Sequence, residues 1–349
     1  MSAASSPQHF NARGVWTEGW YALVRSEEVR RGHVIQRDRL GFRLAIFRGQ
    51  DGEVRVLDGR CPHMGASLGE GCVLENAVRC PFHHWTFAGD GSCASVPYRE
   101  RPPEGARTRG FVVEERYGLV FVYFGDEPSF ALPELPAGRS VSRFRKGLVP
   151  SHPHVMVPTA VDRWHWQCVH GIEVEDMSEP VIVGPFEIRN QLRGALTRSP
   201  TTWPQRILRV LGHRDFDWTW TAYGSNMFVA SLRRPFVMDF LIAYLPLEEA
   251  ASEAETVFAF PKRSLLARWS GVAWVGDLWR KLLLGLLFYD DIKIVRSMRF
   301  WPRLTKEDSM VGRWIAHVRR MPVGPQPASH ALDEGRASEA PAAPSSPSG

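Results

Sequence analysis

Cys61-Pro62-His63 and, sixteen residues further, Cys80-Pro81-Phe82-His83 place two thiols and two imidazoles in a pair of short loops. Such a donor set can hold a metal centre. Two histidines can replace two cysteines of a [2Fe-2S] cluster, thiolates holding one iron and imidazoles the other. Because a neutral imidazole donates less charge than a thiolate, a cluster of this kind is easier to reduce, with potentials of about −150 to +300 mV. It would carry one electron at a time. The same four side chains would also serve a Cys2His2 zinc site, whose spacings overlap.

A second group of chemically able residues runs Asp162-Arg-Trp-His165-Trp-Gln-Cys-Val-His170, with one carboxylate and two imidazoles within nine residues. Two histidines and a carboxylate on one face of an iron leave open positions at which oxygen can bind. Histidines five apart diverge around a continuous helix. They converge only if the helix ends or distorts between them, and Gly171 just beyond is suited to such an ending.

With the order of these groups in view, Cys61-Pro-His63-Met-Gly-Ala-Ser-Leu-Gly-Glu-Gly and Cys80-Pro-Phe-His83-His84-Trp85 resemble the two loops of Rieske iron-sulfur domains. Residues 14–322 as a whole resemble the oxygenase component of Rieske non-haem iron oxygenases, and the downstream segment looks closest to the 3-ketosteroid 9α-hydroxylase branch of monooxygenases. The resemblance implies that Cys61, His63, Cys80 and His83 bind the cluster, that His165 and His170 bind a mononuclear Fe(II), and that Asp162 bridges toward a cluster histidine of a neighbouring subunit. It further implies a third iron ligand from an acidic pair on a late helix. Tyr289-Asp290-Asp291-Ile292-Lys293-Ile294-Val295 fits, with Asp291 as the matching position and Asp290 as the fallback; helix N-terminal capping is the alternative role for either. His84 departs from the family, many members of which have Gly there.

The fold expected around these residues is α+β. Short strands read at Trp20–Val24, His33–Gln36, Phe42–Phe47, Val54–Leu57, Phe111–Val113 and Leu119–Phe124, with turn signals such as Asp51-Gly52, form a small all-β domain about the two metal loops. Strands at Val181–Ile188, Trp218–Ala222, Met227–Leu232, Phe236–Tyr244 and Thr256–Phe260 precede helical patterns. The resemblance makes the second unit a helix-grip antiparallel sheet. The expected domains are 14–135 for the Rieske unit, 140–322 for the catalytic unit, and 323–349 as a tail too poor in large apolar residues to fold.

Composition agrees: 349 residues that are 44% hydrophobic suffice for two cores. Five cysteines, two of them assigned to the cluster, and no leader-like start point to a reducing, cytoplasmic setting. The net charge of +5 comes with no nucleic-acid-binding motif, and the late basic residues, Arg296 and Arg299 among them, suit steering of an acidic electron-donor protein. The apolar stretch Ser264–Phe288 contains Arg268, Asp277, Arg280 and Lys281, which argue against a spanning helix, so it reads as a buried or amphipathic helix near a substrate pocket, with peripheral membrane contact as the other possibility. No Gly-x-Gly-x-x-Gly segment lies between a strand and a helix, so NAD(P)H should act only through a separate reductase, with or without a ferredoxin.

The function implied is a monooxygenase that uses O2 to hydroxylate, demethylate or desaturate a bulky hydrophobic substrate such as a steroid or sterol, in a homotrimer. A ring-hydroxylating dioxygenase and a Rieske electron carrier are the alternatives. Trp203, Trp218, Trp220, Phe228, Phe236, Phe240, Trp274 and Trp279 supply aromatic surface for the pocket. Cys72, Cys93 and Cys168 read as small apolar residues.

Overall fold

The computed structural model describes residues 14–325 apart from short stretches, the longest being 262–277, and of the first thirteen residues only Phe10. The expected tail beyond residue 325 and most of the 264–288 segment lie outside the described residues. Residues 323–325 are tied down: Val323 bridges Thr17, and the Gly324 amide donates to the Trp16 carbonyl at 2.8 Å.

Ten strands make the N-terminal unit: β1 (Gly19–Arg25), β2 (Val34–Arg39), β3 (Phe42–Arg48), β4 (Val54–Asp58), β5 (Cys72–Leu74), β6 (Ala77–Arg79), β7 (Thr86–Phe87), β8 (Cys93–Ser95), β9 (Gly110–Arg116) and β10 (Leu119–Phe124). They divide into a six-stranded sheet ordered β1-β10-β9-β4-β3-β2 and a four-stranded sheet ordered β5-β6-β7-β8. The second sheet is an insertion between β4 and β9 whose connecting loops carry the cysteines and histidines. Apolar residues pack beneath it, including Phe47, Leu57, Val78 and Phe87 together with Cys61, Cys80 and Trp85.

The second unit is a nine-stranded antiparallel sheet made from β11 (Arg139–Arg143), β12 (Gly147–Val149), β13 (Ile172–Met177), β14 (Val181–Gly184), β15 (Glu187–Leu196), β16 (Asp215–Tyr223), β17 (Met227–Arg234), β18 (Met238–Pro246) and β19 (Ser252–Pro261). Where the sequence suggested one strand over Val181–Ile188, there are two. Gly184 lies opposite Glu187, so the chain reverses there and β14 folds back on β15. Among the described residues, helices with full bounds are α1 (Pro153–Met156), α2 (Arg163–Cys168), α3 (Trp203–Val210), α4 (Tyr289–Ser297) and α5 (Ser309–Val318). In α5 the buried Val311, Trp314, Ile315 and Val318 recur at helical spacing and pack with Trp218, Phe240 and other residues of the sheet.

The two units share a core. Trp20, Phe121 and Tyr123 of the N-terminal sheet belong to one buried cluster with Met227, Val229, Leu241 and Val257 of the large sheet. Polar contacts fix the register across this seam. The Asn226 side-chain amide donates to the carbonyls of Trp20 and Tyr244, at 3.0 and 3.1 Å, and Arg25 makes a two-pronged pair with Glu255, both contacts 3.1 Å.

Candidate metal centres and substrate cavity

The two cluster loops are matching tight turns. In the first, the Cys61 amide donates to Ala66 O (2.9 Å) and Gly65 N to Cys61 O (2.8 Å); in the second, Cys80 N donates to Trp85 O at 2.8 Å. Gly65 and His84 both have positive φ, +77° and +58°. Glycine adopts that conformation without strain, whereas an L side chain costs about 1–2 kcal/mol, so His84 keeps a glycine-like backbone at a steric cost.

The two turns set thiol beside thiol and imidazole beside imidazole. Cys61 and Cys80 are buried free thiols, and the His63 and His83 rings lie 4.7 Å apart. Trp85 stacks on His63 at 4.5 Å and 7°, its indole donating to the Tyr98 hydroxyl at 2.8 Å, which holds the imidazole in place. His83 Nδ1 is buried with no hydrogen-bond partner. Burial pushes the Cys61 thiol up to about 11, and the adjacent Cys80 sulfur adds to the rise. A thiolate pair in this position therefore needs a cation, and the orphaned imidazole nitrogen needs an acceptor for its lone pair; an iron-sulfur cluster satisfies both.

The second centre is assembled from two distant segments. Asp162 caps α2, its Oδ1 accepting from Trp164 N (2.9 Å) and His165 N (3.1 Å). The helix stops at Cys168, and Gly171 follows at φ +64° with the Gln205 side chain against it, where an added Cβ would come within 2.8 Å. This early ending swings His170 back beside His165, as the spacing required. Gln205 secures the turn, its Nε2 donating to Val169 O at 3.1 Å. The first turn of α4 then brings in Asp291, which is buried, while Asp290 is partly exposed.

His165 Nε2 and His170 Nε2 are 3.0 Å apart, and Asp291 Oδ1 lies 3.1 and 3.3 Å from them. Three donor atoms bonded at right angles to one ion at about 2.1 Å would be separated by about 3.0 Å, so the triangle fits one face of a metal's coordination shell. Burial alone would raise the Asp291 carboxyl, but the hydrogen bonds and charges of the two imidazoles outweigh it and hold the group below its ordinary value. Asp291 is thus a carboxylate at neutral pH. The ligand atoms of His165, His170 and Asp291 all lie within 4.8 Å of one another, close enough to share one metal ion.

A cavity of about 660 Å³ opens beside this triad, with His165, Asp291, Trp218, Trp220, Phe228 and Phe240 in its wall. Of the aromatic residues expected in the pocket, Phe236 packs at the core margin, Trp203 and Trp279 are exposed, and Trp274 lies outside the described residues. Two contributors escaped the sequence reading. Trp166, within the Asp-His segment itself, lies 4.7 Å from the His170 ring and 4.1 Å from Trp218, bracing His170 against the sheet. Tyr244 is a buried hydroxyl of the cavity wall; burial and the Asp291 charge raise its pKa, so it stays a protonated donor.

Comparison with known proteins bears on the N-terminal unit and on the fold. Residues 19–115 match the Rieske [2Fe-2S] domain family, so this part of the chain is a Rieske [2Fe-2S] domain and the zinc alternative falls. Over 86–90% of its length the chain has the fold of solved Rieske oxygenases. Dicamba monooxygenase bound to dicamba superposes with a TM-score of 0.63 at 19% identity, covering 86% of this chain and 96% of that one, and the terminal oxygenase of carbazole 1,9a-dioxygenase from Nocardioides aromaticivorans superposes at 0.65.

Among sequence relatives, cholesterol 7-desaturase of Ciona intestinalis is 25% identical over 86% of this chain and 67% of its own length. The oxygenase component of 3-ketosteroid-9-alpha-monooxygenase from Mycobacterium tuberculosis is 38% identical over 36% of this chain, an alignment that spans 34% of that protein. The chain thus aligns with only about a third of the length of its ketosteroid relatives. No described helix is long and apolar enough to cross a membrane.

Proposed function

We propose that the chain is the oxygenase component of a Rieske monooxygenase acting on a bulky hydrophobic, sterol-like substrate. The carrying observation is the convergence of His165, His170 and Asp291 at the wall of a large aromatic cavity, in a chain that also has a Rieske domain. A pure electron carrier has no use for such a triad. Cys61, His63, Cys80 and His83 would hold the cluster, and His165, His170 and Asp291 the iron. Bound there, the two centres would supply the electrons for reduction of O2.

The chain's own residues then bind and shield. Trp218, Trp220, Phe228 and Phe240 exclude water from the substrate's apolar body, and the Tyr244 hydroxyl offers one donor to a polar group on it. The relatives named for cholesterol and 3-ketosteroids support a steroid-like shape. With no Gly-x-Gly-x-x-Gly segment between a strand and a helix of its sequence, the chain would draw electrons from a separate reductase, with or without a ferredoxin. A neighbouring structure of related fold contains an oxygenase with its ferredoxin.

The working units are 14–135 and 140–322, and free cysteines suit a cytoplasmic location. In a head-to-tail homotrimer Asp162, its Oδ1 engaged by the helix cap, would turn Oδ2 toward a cluster histidine of the adjacent subunit. Single turnover of reduced, iron-loaded protein with labelled O2 and a panel of sterols, steroids and aromatics tests the proposal. One labelled oxygen in the product, or loss of a methyl group or two hydrogens, is expected; two labelled oxygens, or no product from any sterol, would overturn it.

A further inference from the structure

Helix α3 is turned inside out. Gln205 and Leu208 face the protein, while Trp203, Ile207 and Val210, at i, i+4 and i+7, form an outward apolar stripe that Leu211 extends. Val210 is 86% exposed, which no contribution to folding explains. Arg206, exposed on the same helical face, lies three residues after Trp203 and four before Val210. The Trp203 ring meets Tyr289 edge-on at 5.5 Å, joining the stripe to the start of α4.

From Tyr289 the surface leads into the substrate cavity. Nearly all exposed residues of the cavity wall lie in one region, Gly285, Tyr289, Lys293 and Arg296, so this is its mouth. Leu278, Trp279 and Leu282, helical and close in sequence to Lys281 of the cavity wall, are likewise 42–51% exposed. The mouth therefore combines an aromatic and aliphatic face with arginines and a lysine. Apolar side chains bordered by cations match the boundary between lipid chains and anionic headgroups, where tryptophan is favoured.

We infer that this face docks on a bilayer bearing anionic headgroups, with α3 lying in the interface and the cavity mouth opening toward the lipid. An apolar substrate would then enter along Tyr289 without crossing water. The substrate route rests on the proposed function, whereas the docking does not. Interfacial affinity follows the apolar area buried plus the attraction of cations to anionic lipid, so the α3 stripe and the basic residues beside it would act together.

The test is sedimentation of the full metal-loaded chain with vesicles of phosphatidylcholine alone or mixed with phosphatidylglycerol, compared with the Ile207→Asp/Val210→Asp double variant. Wild type should sediment with the mixed vesicles, less so as salt is raised, and the double variant should bind about tenfold or more weakly. Both positions are exposed, so the variant should keep its cluster absorption and its turnover of substrate delivered from cyclodextrin while losing turnover of vesicle-borne substrate. Sedimentation needs no turnover, so a wrong substrate class leaves this result readable. Failure of wild type to bind mixed vesicles, or equal binding by the variant, overturns the inference. A variant that dissociates an oligomer in light scattering, with no vesicle binding by wild type, would make the face a contact between copies of the chain and also overturns it.

Discussion

Phe121→Ala tests the seam that fixes the Rieske unit against the catalytic sheet. Phe121 is 0% exposed, sits on β10 opposite Ala22 of β1, and shares one cluster with Met227, Val229, Leu241 and Val257 from the other unit. Truncating a fully buried phenylalanine costs about 3–5 kcal/mol, the upper end applying where the surroundings cannot collapse. Here the facing residues belong to two hydrogen-bonded sheets whose backbones are held in register, so a value near the upper end is expected. At roughly 2 °C per kcal/mol for a chain of this size, the melting temperature should fall by about 6–10 °C. The assay is thermal denaturation followed at two wavelengths, the visible absorption of the cluster for the N-terminal unit and near-ultraviolet tryptophan dichroism for the catalytic unit. Both transitions should move down together, because the deleted side chain supports both units. If the cluster transition moves while the tryptophan transition stays within about 1 °C of wild type, the shared core does not couple the two, and the argument fails.

Two other outcomes follow from the buried charges and histidines. Asp239 is fully buried and held by Arg139 at 2.9 Å, with Arg233 more distant at 3.4 Å and half exposed; Arg139→Ala should destabilise by about 3 kcal/mol in urea denaturation, and a loss below about 0.5 kcal/mol would show that Arg233 suffices. Burial lowers the His152 pKa from 6.5 to about 4. Because the folded state resists the proton that the unfolded chain accepts, stability contributed by neutral His152 is present above pH 6.5 and is lost as pH falls from there toward 4. His152→Phe should flatten the stability profile across that window, and an unchanged slope would remove this histidine from the account.

Much of the site was legible because its determinants are local. The cluster loops carry all four donors within 23 residues, 61–83, and each has a proline after its cysteine and a residue of positive φ, Gly65 in the first and His84 in the second. His165 and His170 could be read as converging, since Gly171 marks the helix end that their spacing demands. Asp291 was legible only by resemblance: 121 residues separate it from His170, and no periodicity states that α4 will cross that helix end. Geometry then separates it from Asp290, one residue away, which is partly exposed and does not join the two imidazoles.

In the fold, alternating apolar residues marked the central strands well. The β14–β15 turn was missed because Val181–Val183 continue the β-branched pattern right up to Gly184. Helix α3 shows a deeper limit, since a 3.6-residue apolar period says that a helix has two faces but not which one meets the core. Trp203 and Trp279, expected in the pocket, lie outside it for this reason.

The most direct test of the central claim is iron quantitation on anaerobically reconstituted Asp291→Ala beside Asp290→Ala and wild type. The triangle of 3.0–3.3 Å contacts among His165, His170 and Asp291 predicts that Asp291→Ala keeps the iron of the cluster, with its visible absorption unchanged, and loses the mononuclear iron together with turnover. Removal of a direct ligand should exceed the about 10–100-fold loss of affinity typical of outer-shell partners, and Asp290→Ala should match wild type. Full mononuclear iron in Asp291→Ala, or its loss in Asp290→Ala alone, would contradict the assignment on which the proposed oxygenase activity stands.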